Sequence, residues 1–170
     1  MQPIGPERLS GSSPGRIRAA VDAREDLRAN GGDILILART DARHDHGLGE
    51  AIAHAEKFAE IGADILFVEA PRSEEEMREI CSAVPLPHMA NIVEGGVTPD
   101  SPNAVLQDIG YSIAAYPLSL MAAAMQAMVT CLRSMQSDER PGRMEFTELR
   151  QRIGFDDYYN ESEKYATSKR

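Results

Sequence analysis

Residues 34–43 read ILILARTDAR, an aliphatic run that leads directly into the charged residues Arg39, Asp41 and Arg43. A continuous apolar run is typical of a strand that is buried on both faces, as in a parallel sheet. Charged residues directly after such a strand lie at its carboxyl end, which is where ligands bind in parallel α/β folds. The stretch therefore predicts an α/β fold with a ligand site at one edge of the sheet.

The alternation of strand and helix continues along the chain. A first helix is predicted to begin at Ser13-Pro14 and to end before Gly31. After it, strands are predicted at 34–38, 65–69, 88–92 and 112–116, each followed by a helix, at 50–61, 73–84, 102–109 and 118–137. Four such repeats predict right-handed crossovers and a parallel sheet whose faces are covered by helices.

The two ends of the chain differ from this central region. Residues 1–14 contain three prolines, three serines and two glycines, and this composition predicts an irregular segment. Residues 15–137 hold the four strand–helix units, and residues 138–170 predict a helical tail with a break at Gly154. Aromatic residues recur in that tail at helical spacing, and the stripe packs either on its own domain or on another subunit. They are Phe155, Tyr158, Tyr159 and Tyr165.

Composition limits the classes of function. With 42% hydrophobic and 26% charged residues the chain is expected to be globular, and its net charge of −9 argues against nucleic acid and anionic membranes as partners. It has no apolar run of the roughly 20 residues that a membrane span requires. Cys81 and Cys131 lie far apart in predicted helices, which favours two reduced thiols in a cytoplasmic protein.

Each predicted strand ends in polar residues, and parallel strands bring these ends to one edge. They are Arg39 and Asp41, then Glu69, then Asn91 and Glu94, and finally Tyr116. A polar strand end can serve solubility alone, but four in succession favour a ligand site. A guanidinium at such a site offers a planar pair of donors that suits a carboxylate.

Several stretches together resemble the isocitrate lyase / phosphoenolpyruvate mutase superfamily, in its carboxyphosphonoenolpyruvate phosphonomutase-like and dimethylmalate lyase / oxaloacetate decarboxylase-like branch. They cover nearly the whole chain in the order and spacing of that family. They are RIRAAVDAR (16–24), ILARTDA (36–42), GADILFVEAP (62–71), ANIVEGGVTP (90–99), GYSIAAYPLSLMAAAMQAM (110–128) and GFDDYYNESEKYA (154–166).

The resemblance implies the C-terminal half of a (β/α)8 barrel, strands five to eight, followed by a helical tail that pairs subunits into a homo-oligomer. The family cleaves or forms a bond beside a carboxylate of a 2-oxo or 2-hydroxy acid, through an enolate held by Mg²⁺. By the same resemblance Arg39 grips a substrate carboxylate, Glu69 and Asn91 line the pocket, and Asp41 and Glu94 support them.

The family's metal-binding aspartates and its Lys-Cys-Gly-His loop belong to the earlier strands, and this sequence shows neither. His44 and His46 flank Asp45 in a spacing that can chelate a metal, but a third ligand is not evident, so no metal ligands are assigned.

Three interpretations therefore stay open. The chain is a lyase-family subunit that is inactive alone, a half-barrel that pairs with another chain to form an enzyme, or a non-catalytic carboxylate-binding module.

Overall fold

The computed structural model describes residues 6–165, with side chains described from Pro14 onward. Its sheet has four strands in the order β1-β2-β3-β4, and every neighbouring pair is parallel. The strands are β1 Leu37–Thr40, β2 Ile65–Val68, β3 His88–Asn91 and β4 Tyr111–Ala115. The predicted α/β architecture of four parallel strand–helix units is confirmed.

The helices follow the predicted alternation, with one addition between β1 and the helix that crosses to β2. They are α1 Pro6–Ala29, α2 Ala42–Asp45, α3 Leu48–Ile61, α4 Glu74–Ala83, α5 Asn103–Ile109, α6 Ser119–Gln136, α7 Phe146–Arg152 and α8 Phe155–Glu163. The chain divides into two compact units, residues 1–121 and residues 122–170, so the division falls inside α6 and before residue 137. None of the helices in the described range is long and apolar enough to cross a membrane.

Local sequence signals explain several of these boundaries. The hydroxyl of Ser73 accepts a hydrogen bond from the backbone N–H of Glu76 at 3.2 Å, so Ser73 caps α4. Helix α3 ends at Gly62, whose φ of +113° is a left-handed conformation that glycine adopts without a steric penalty.

The core lies on one face of the sheet. Helices α3 and α4 cover it there, and Phe58, Leu66 and Ile80 are each 1% exposed in the resulting cluster. A second cluster joins β3 and β4 to α5 through Ile92, Leu106 and their neighbours. Burial of a side chain of this size stabilises a fold by roughly 1.5–3 kcal/mol, so these clusters fix the spacing of the strand ends that carry the polar residues.

The first strand corrects one prediction. It begins at Leu37, and the residues that precede it in the apolar run, Ile34 and Leu35, are 57% and 62% exposed. Within β1 exposure alternates, because Ala38 and Thr40 point to the face covered by helices whereas Leu37 and Arg39 point to the opposite face, which is open in the described part of the chain. β1 pairs only with β2 among the described strands and is an edge strand. The expectation that this run is buried on both faces is wrong for the residues described.

Two local predictions are also corrected. Helix α1 begins at Pro6, so residues 6–14 are helical and not irregular, whereas residues 1–5 lie outside the described residues. Pro14 sits inside α1, where a proline removes one backbone hydrogen bond without necessarily ending the helix. Residues 42–45 form the short helix α2, which was not among the predicted helices. The Thr40 hydroxyl accepts a hydrogen bond from the N–H of Ala42 at 3.2 Å, whereas the N-cap residue Asp41 makes no side-chain cap.

Candidate functional site

The carboxyl ends of β1, β2 and β3 bring together four of the residues predicted from the sequence. Arg39 lies in β1, and its Nη2 is 2.8 Å from Oδ1 of Asp41 and 3.2 Å from Oε2 of Glu69. Asn91, at the end of β3, donates through Nδ2 to the same Glu69 oxygen at 3.5 Å, a long hydrogen bond. We call Arg39, Asp41, Glu69 and Asn91 the arginine cluster.

The guanidinium of Arg39 is oriented from three directions. Its Nε donates to Asp41 at 2.8 Å, its Nη2 reaches Glu69, and its central carbon lies 4.9 Å from the centre of the Phe67 ring. A guanidinium stacked on an aromatic ring and held along one edge is preorganised for a planar anion. The side chain remains 50% exposed, so the group is accessible to a ligand.

The charges of the cluster are unbalanced. Arg39 contributes one positive charge, whereas Asp41 and Glu69 contribute two negative charges at contact distance. An incoming carboxylate therefore competes with two resident carboxylates for one guanidinium. The arrangement favours weak anion binding by this chain and would favour tighter binding if another positive charge were present.

Glu94, which was predicted to support the cluster, contacts another residue. Its carboxylate accepts a hydrogen bond from the hydroxyl of Ser119, at the start of α6, and this bond lowers the pKa of Glu94. Tyr116, at the end of β4, donates its hydroxyl to Oδ1 of Asn103 at 2.6 Å. The fourth strand end is therefore occupied by its own hydrogen bonds, and the candidate site is centred on β1 and β2.

A pocket of about 500 Å³ opens beside β1 and shares residues with the arginine cluster. Its walls include Arg16 and Ile17 of α1, Arg39, Asp41 and His46 near the strand end, and His54 of α3. The pocket therefore has apolar residues beside two arginines, Arg16 and Arg39, and two aspartates, Asp41 and Asp45, a mixed lining that suits weak binding of a small organic acid.

Sequence reasoning missed a hydrogen bond and an adjacent ion-pair contact in this wall. Nδ1 of His54 lies 2.9 Å from the Thr40 hydroxyl, and Nε2 of His54 lies 3.4 Å from a carboxylate oxygen of Glu50. The position of His54 in a predicted helix does not indicate burial, but its side chain is only 13% exposed. No sequence signal links Thr40 to a residue fourteen positions later; only the packing of α3 on β1 brings them together.

The described residues do not offer a site that fits Mg²⁺. They contain no group of three or more His, Cys, Asp and Glu side chains that converge to hold a metal. The two carboxylates that line the pocket are already paired, Asp41 with Arg39 at 2.8 Å and Asp45 with His44 at 2.7 Å. Glu69 of the arginine cluster is also paired with Arg39. Mg²⁺ requires oxygen ligands in octahedral array, so the metal that the family resemblance implies would need ligands from other residues.

Comparison with known proteins identifies the family. Residues 12–136 match the family model described as phosphoenolpyruvate phosphomutase. The chain belongs to this family. Among curated relatives, it is 38% identical over 160 residues to 2,3-dimethylmalate lyase of Eubacterium barkeri, covering 91% of this chain and 54% of that protein. It is also 38% identical over 151 residues to 2-methylisocitrate lyase of Aeropyrum pernix, covering 84% and 46%.

Solved structures of the same superfamily share the fold. A crystal structure of 2,3-dimethylmalate lyase, a PEP mutase/isocitrate lyase superfamily member, aligns with a TM-score of 0.78 at 30% identity, over 92% of this chain and 56% of that one. Oxaloacetate acetylhydrolase in complex with its product oxalate aligns with a TM-score of 0.81 at 26% identity, over 92% and 54%. The chain thus spans about half the length of the relatives it matches.

Proposed function

We propose that this chain carries the carboxylate-binding side of a lyase active site of the phosphoenolpyruvate phosphomutase family. In this proposal it binds small 2-oxo or 2-hydroxy acids through Arg39 and does not cleave them on its own. The single observation that carries the proposal is the guanidinium of Arg39, which is held by Asp41 and Glu69 and stacked on Phe67 at the mouth of a pocket. Asn91 extends the polar cluster through its long hydrogen bond to Glu69.

The expected absence of turnover follows from what the chemistry requires. Cleavage beside a carboxylate develops negative charge on an enolate, and the family resemblance implies that Mg²⁺ stabilises this charge. Loss of one preorganised charge stabiliser costs about 10²–10³ in rate. Loss of a positioned acid or base costs roughly a further 10²–10⁴. The described residues supply no cluster that would hold a metal, and the sequence does not show the Lys-Cys-Gly-His loop.

The test is an assay of the 170-residue chain with Mg²⁺ or Mn²⁺ for pyruvate released from oxaloacetate, 2-methylisocitrate and 2,3-dimethylmalate. The pyruvate released from oxaloacetate is corrected for the metal-promoted decay measured without protein. We expect no release above background. Release that disappears in Arg39→Ala would contradict the proposed inactivity, whereas release that persists in Arg39→Ala would point to a contaminating enzyme and is settled by repurification.

The exposed edge of β1 favours a second candidate, in which the half-barrel closes against another chain to form an active enzyme. Leu37 in β1 and Ile113 in β4 are both 39% exposed, and unpaired parallel edges accept further strands. The two candidate functions are distinguished by mixing this chain with the separately produced N-terminal half of a family lyase. Pyruvate release that requires both halves supports pairing, and no release from the mixture supports a chain that only binds.

A further inference from the structure

One ion pair outside the arginine cluster joins the segment that follows Asp41 to the segment that follows Glu69. Arg43 of α2 forms two parallel hydrogen bonds to Glu76 of α4, with Nε to Oε2 at 2.8 Å and Nη2 to Oε1 at 2.5 Å. The Arg43 side chain is only 11% exposed and that of Glu76 is 21% exposed. A bidentate pair of this kind fixes the mutual orientation of its partners as well as their distance.

Glu76 also holds the loop that follows β2. Its Oε2 accepts the backbone N–H of Arg72 at 2.8 Å. The pair lowers the pKa of Glu76 and raises the pKa of Arg43, chiefly through their mutual hydrogen bonds, so both groups stay charged. One carboxylate therefore anchors α2, which begins directly after Asp41, and the loop that begins with Glu69.

The backbone next to Glu69 needs such an anchor. Ala70 has a φ of +57°, a left-handed conformation that is uncommon for residues other than glycine, and Pro71 follows it. Strained backbone of this kind persists only where the surrounding structure over-determines it. Here the Arg72 N–H bond to Glu76 and the Ser73 cap hold the loop on the far side of the strained residue.

We propose that Arg43 and Glu76 are positioning residues that set Asp41 and Glu69 at the spacing that aligns the Arg39 guanidinium. Neither of the two is among the residues that line the pocket beside β1. Their effect passes through α2 to Asp41 and through the left-handed turn at Ala70 to Glu69. The significance of this alignment for ligand binding rests on the proposed function of Arg39, but the alignment itself is measurable without a ligand.

The chain offers a matched control for this pair. Arg78 of α4 binds Asp108 at 2.8 Å, also an ion pair between separate parts of the chain, and neither partner belongs to the arginine cluster. Glu76→Gln and Asp108→Asn make the same carboxylate-to-amide change. Arg43→Lys keeps the charge but removes the paired donors, so it serves where Glu76→Gln fails to fold.

The experiment records the side-chain Nε–Hε signal of Arg39 in the ¹⁵N-labelled full chain, assigned by its loss in Arg39→Lys, and the affinity for oxalate by calorimetry. In Glu76→Gln and Arg43→Lys the signal should shift or broaden, and oxalate should bind about tenfold more weakly, which corresponds to one impaired charge-assisted hydrogen bond. Asp108→Asn should change neither.

The outcomes separate the two proposals. An Arg39 signal that is unchanged in Glu76→Gln and in Arg43→Lys overturns the positioning role, whatever the oxalate affinity. A signal that changes in both, in a protein whose native form does not bind oxalate, supports the positioning role and refutes the proposed function. An equal change in Asp108→Asn would show a general loosening of the fold and would also overturn the positioning role.

Discussion

Arg39 and Glu69 meet across neighbouring strands, with Nη2 of the guanidinium 3.2 Å from Oε2 of the carboxylate. Asp41 contacts the same nitrogen at 2.8 Å and also accepts a hydrogen bond from Nε at 2.8 Å. The group that we assign to substrate binding is therefore already paired with two acidic side chains. The guanidinium is therefore well oriented, but its positive charge is outweighed by two negative charges. The response of the site to mutation should depend on both features.

Glu69→Gln should strengthen anion binding. Glutamine keeps an oxygen that can accept from Arg39, so the orientation is retained, while one negative charge is removed from beside the ligand. We expect oxalate to bind to Glu69→Gln about fivefold more tightly than to the native chain, because the variant lacks one negative charge that repels the ligand at contact distance and is partly screened by solvent. Calorimetric titration at low and high salt measures the effect, which should shrink as salt rises. Weaker binding by Glu69→Gln would mean that the carboxylate itself is needed by the ligand.

Stability should depend on pH through His88. This side chain is 1% exposed; its Nε2 donates to the carbonyl of Val84 at 2.9 Å, and its Nδ1 is buried without a partner in the described residues. Burial holds the pKa of His88 below its usual 6.5. The unfolded chain therefore takes up a proton at a higher pH than the folded chain does. The free energy of unfolding should fall as pH drops below about 6.5, by at most about 1.4 kcal/mol per pH unit from this group.

Urea unfolding at several pH values between 7.5 and 5 (roughly the range over which an unfolded histidine titrates) tests this dependence. His88→Gln retains a donor for Val84 but does not titrate, so the slope should be reduced. His44→Gln is the matched control, because His44 is 75% exposed. Equal slopes in the native chain and in His88→Gln would refute the assignment.

Two glycines should respond in opposite directions to alanine. Gly62 ends α3 with a φ of +113°, so Gly62→Ala should cost about 1–2 kcal/mol of unfolding free energy through backbone strain. Gly15 lies in α1, and outside its own stretch of helix no atom of the described residues lies within 4 Å of the position that an added Cβ would take. Gly15→Ala should therefore stabilise by up to about 1 kcal/mol through helix propensity. Urea midpoints measure both, and changes of the same sign would contradict this expectation.

The chain should self-associate. Leu37 is exposed in β1, an edge strand that has no strand on its outer side in the described sheet. Such edges promote association. Light scattering at micromolar protein should give a mass above 18.6 kDa, and Leu37→Lys should lower it because a lysine blunts the edge. Leu27→Lys in α1 is the matched control, since Leu27 is 42% exposed and lies outside the sheet. A monodisperse mass of 18.6 kDa for the native chain would contradict this prediction.

The sequence was sufficient for the order of the elements and for the residues at the strand ends. The apolar run ILFV marks β2 correctly, and the short segment HMAN between Pro87 and Gly95 marks β3. Parallel strands necessarily bring Arg39, Glu69 and Asn91 to one edge. The sequence was not sufficient for β1, because an apolar run does not reveal whether both faces of the strand are covered; Leu37 is 39% exposed on the open face. It also could not reveal the Thr40–His54 bond or the Arg43–Glu76 pair, since both depend on how helices pack on the sheet.

The central claim, that Arg39 is the carboxylate-binding group of this chain, is tested most directly by calorimetric titration with oxalate and pyruvate. Arg28→Ala is the matched control, because Arg28 is a partly exposed arginine of α1 that is also paired with two carboxylates, Asp33 at 2.7 Å and Glu25 at 3.1 Å. We predict weak binding to the native chain and to Arg28→Ala, and none to Arg39→Ala. Equal binding to all three proteins would contradict the claim.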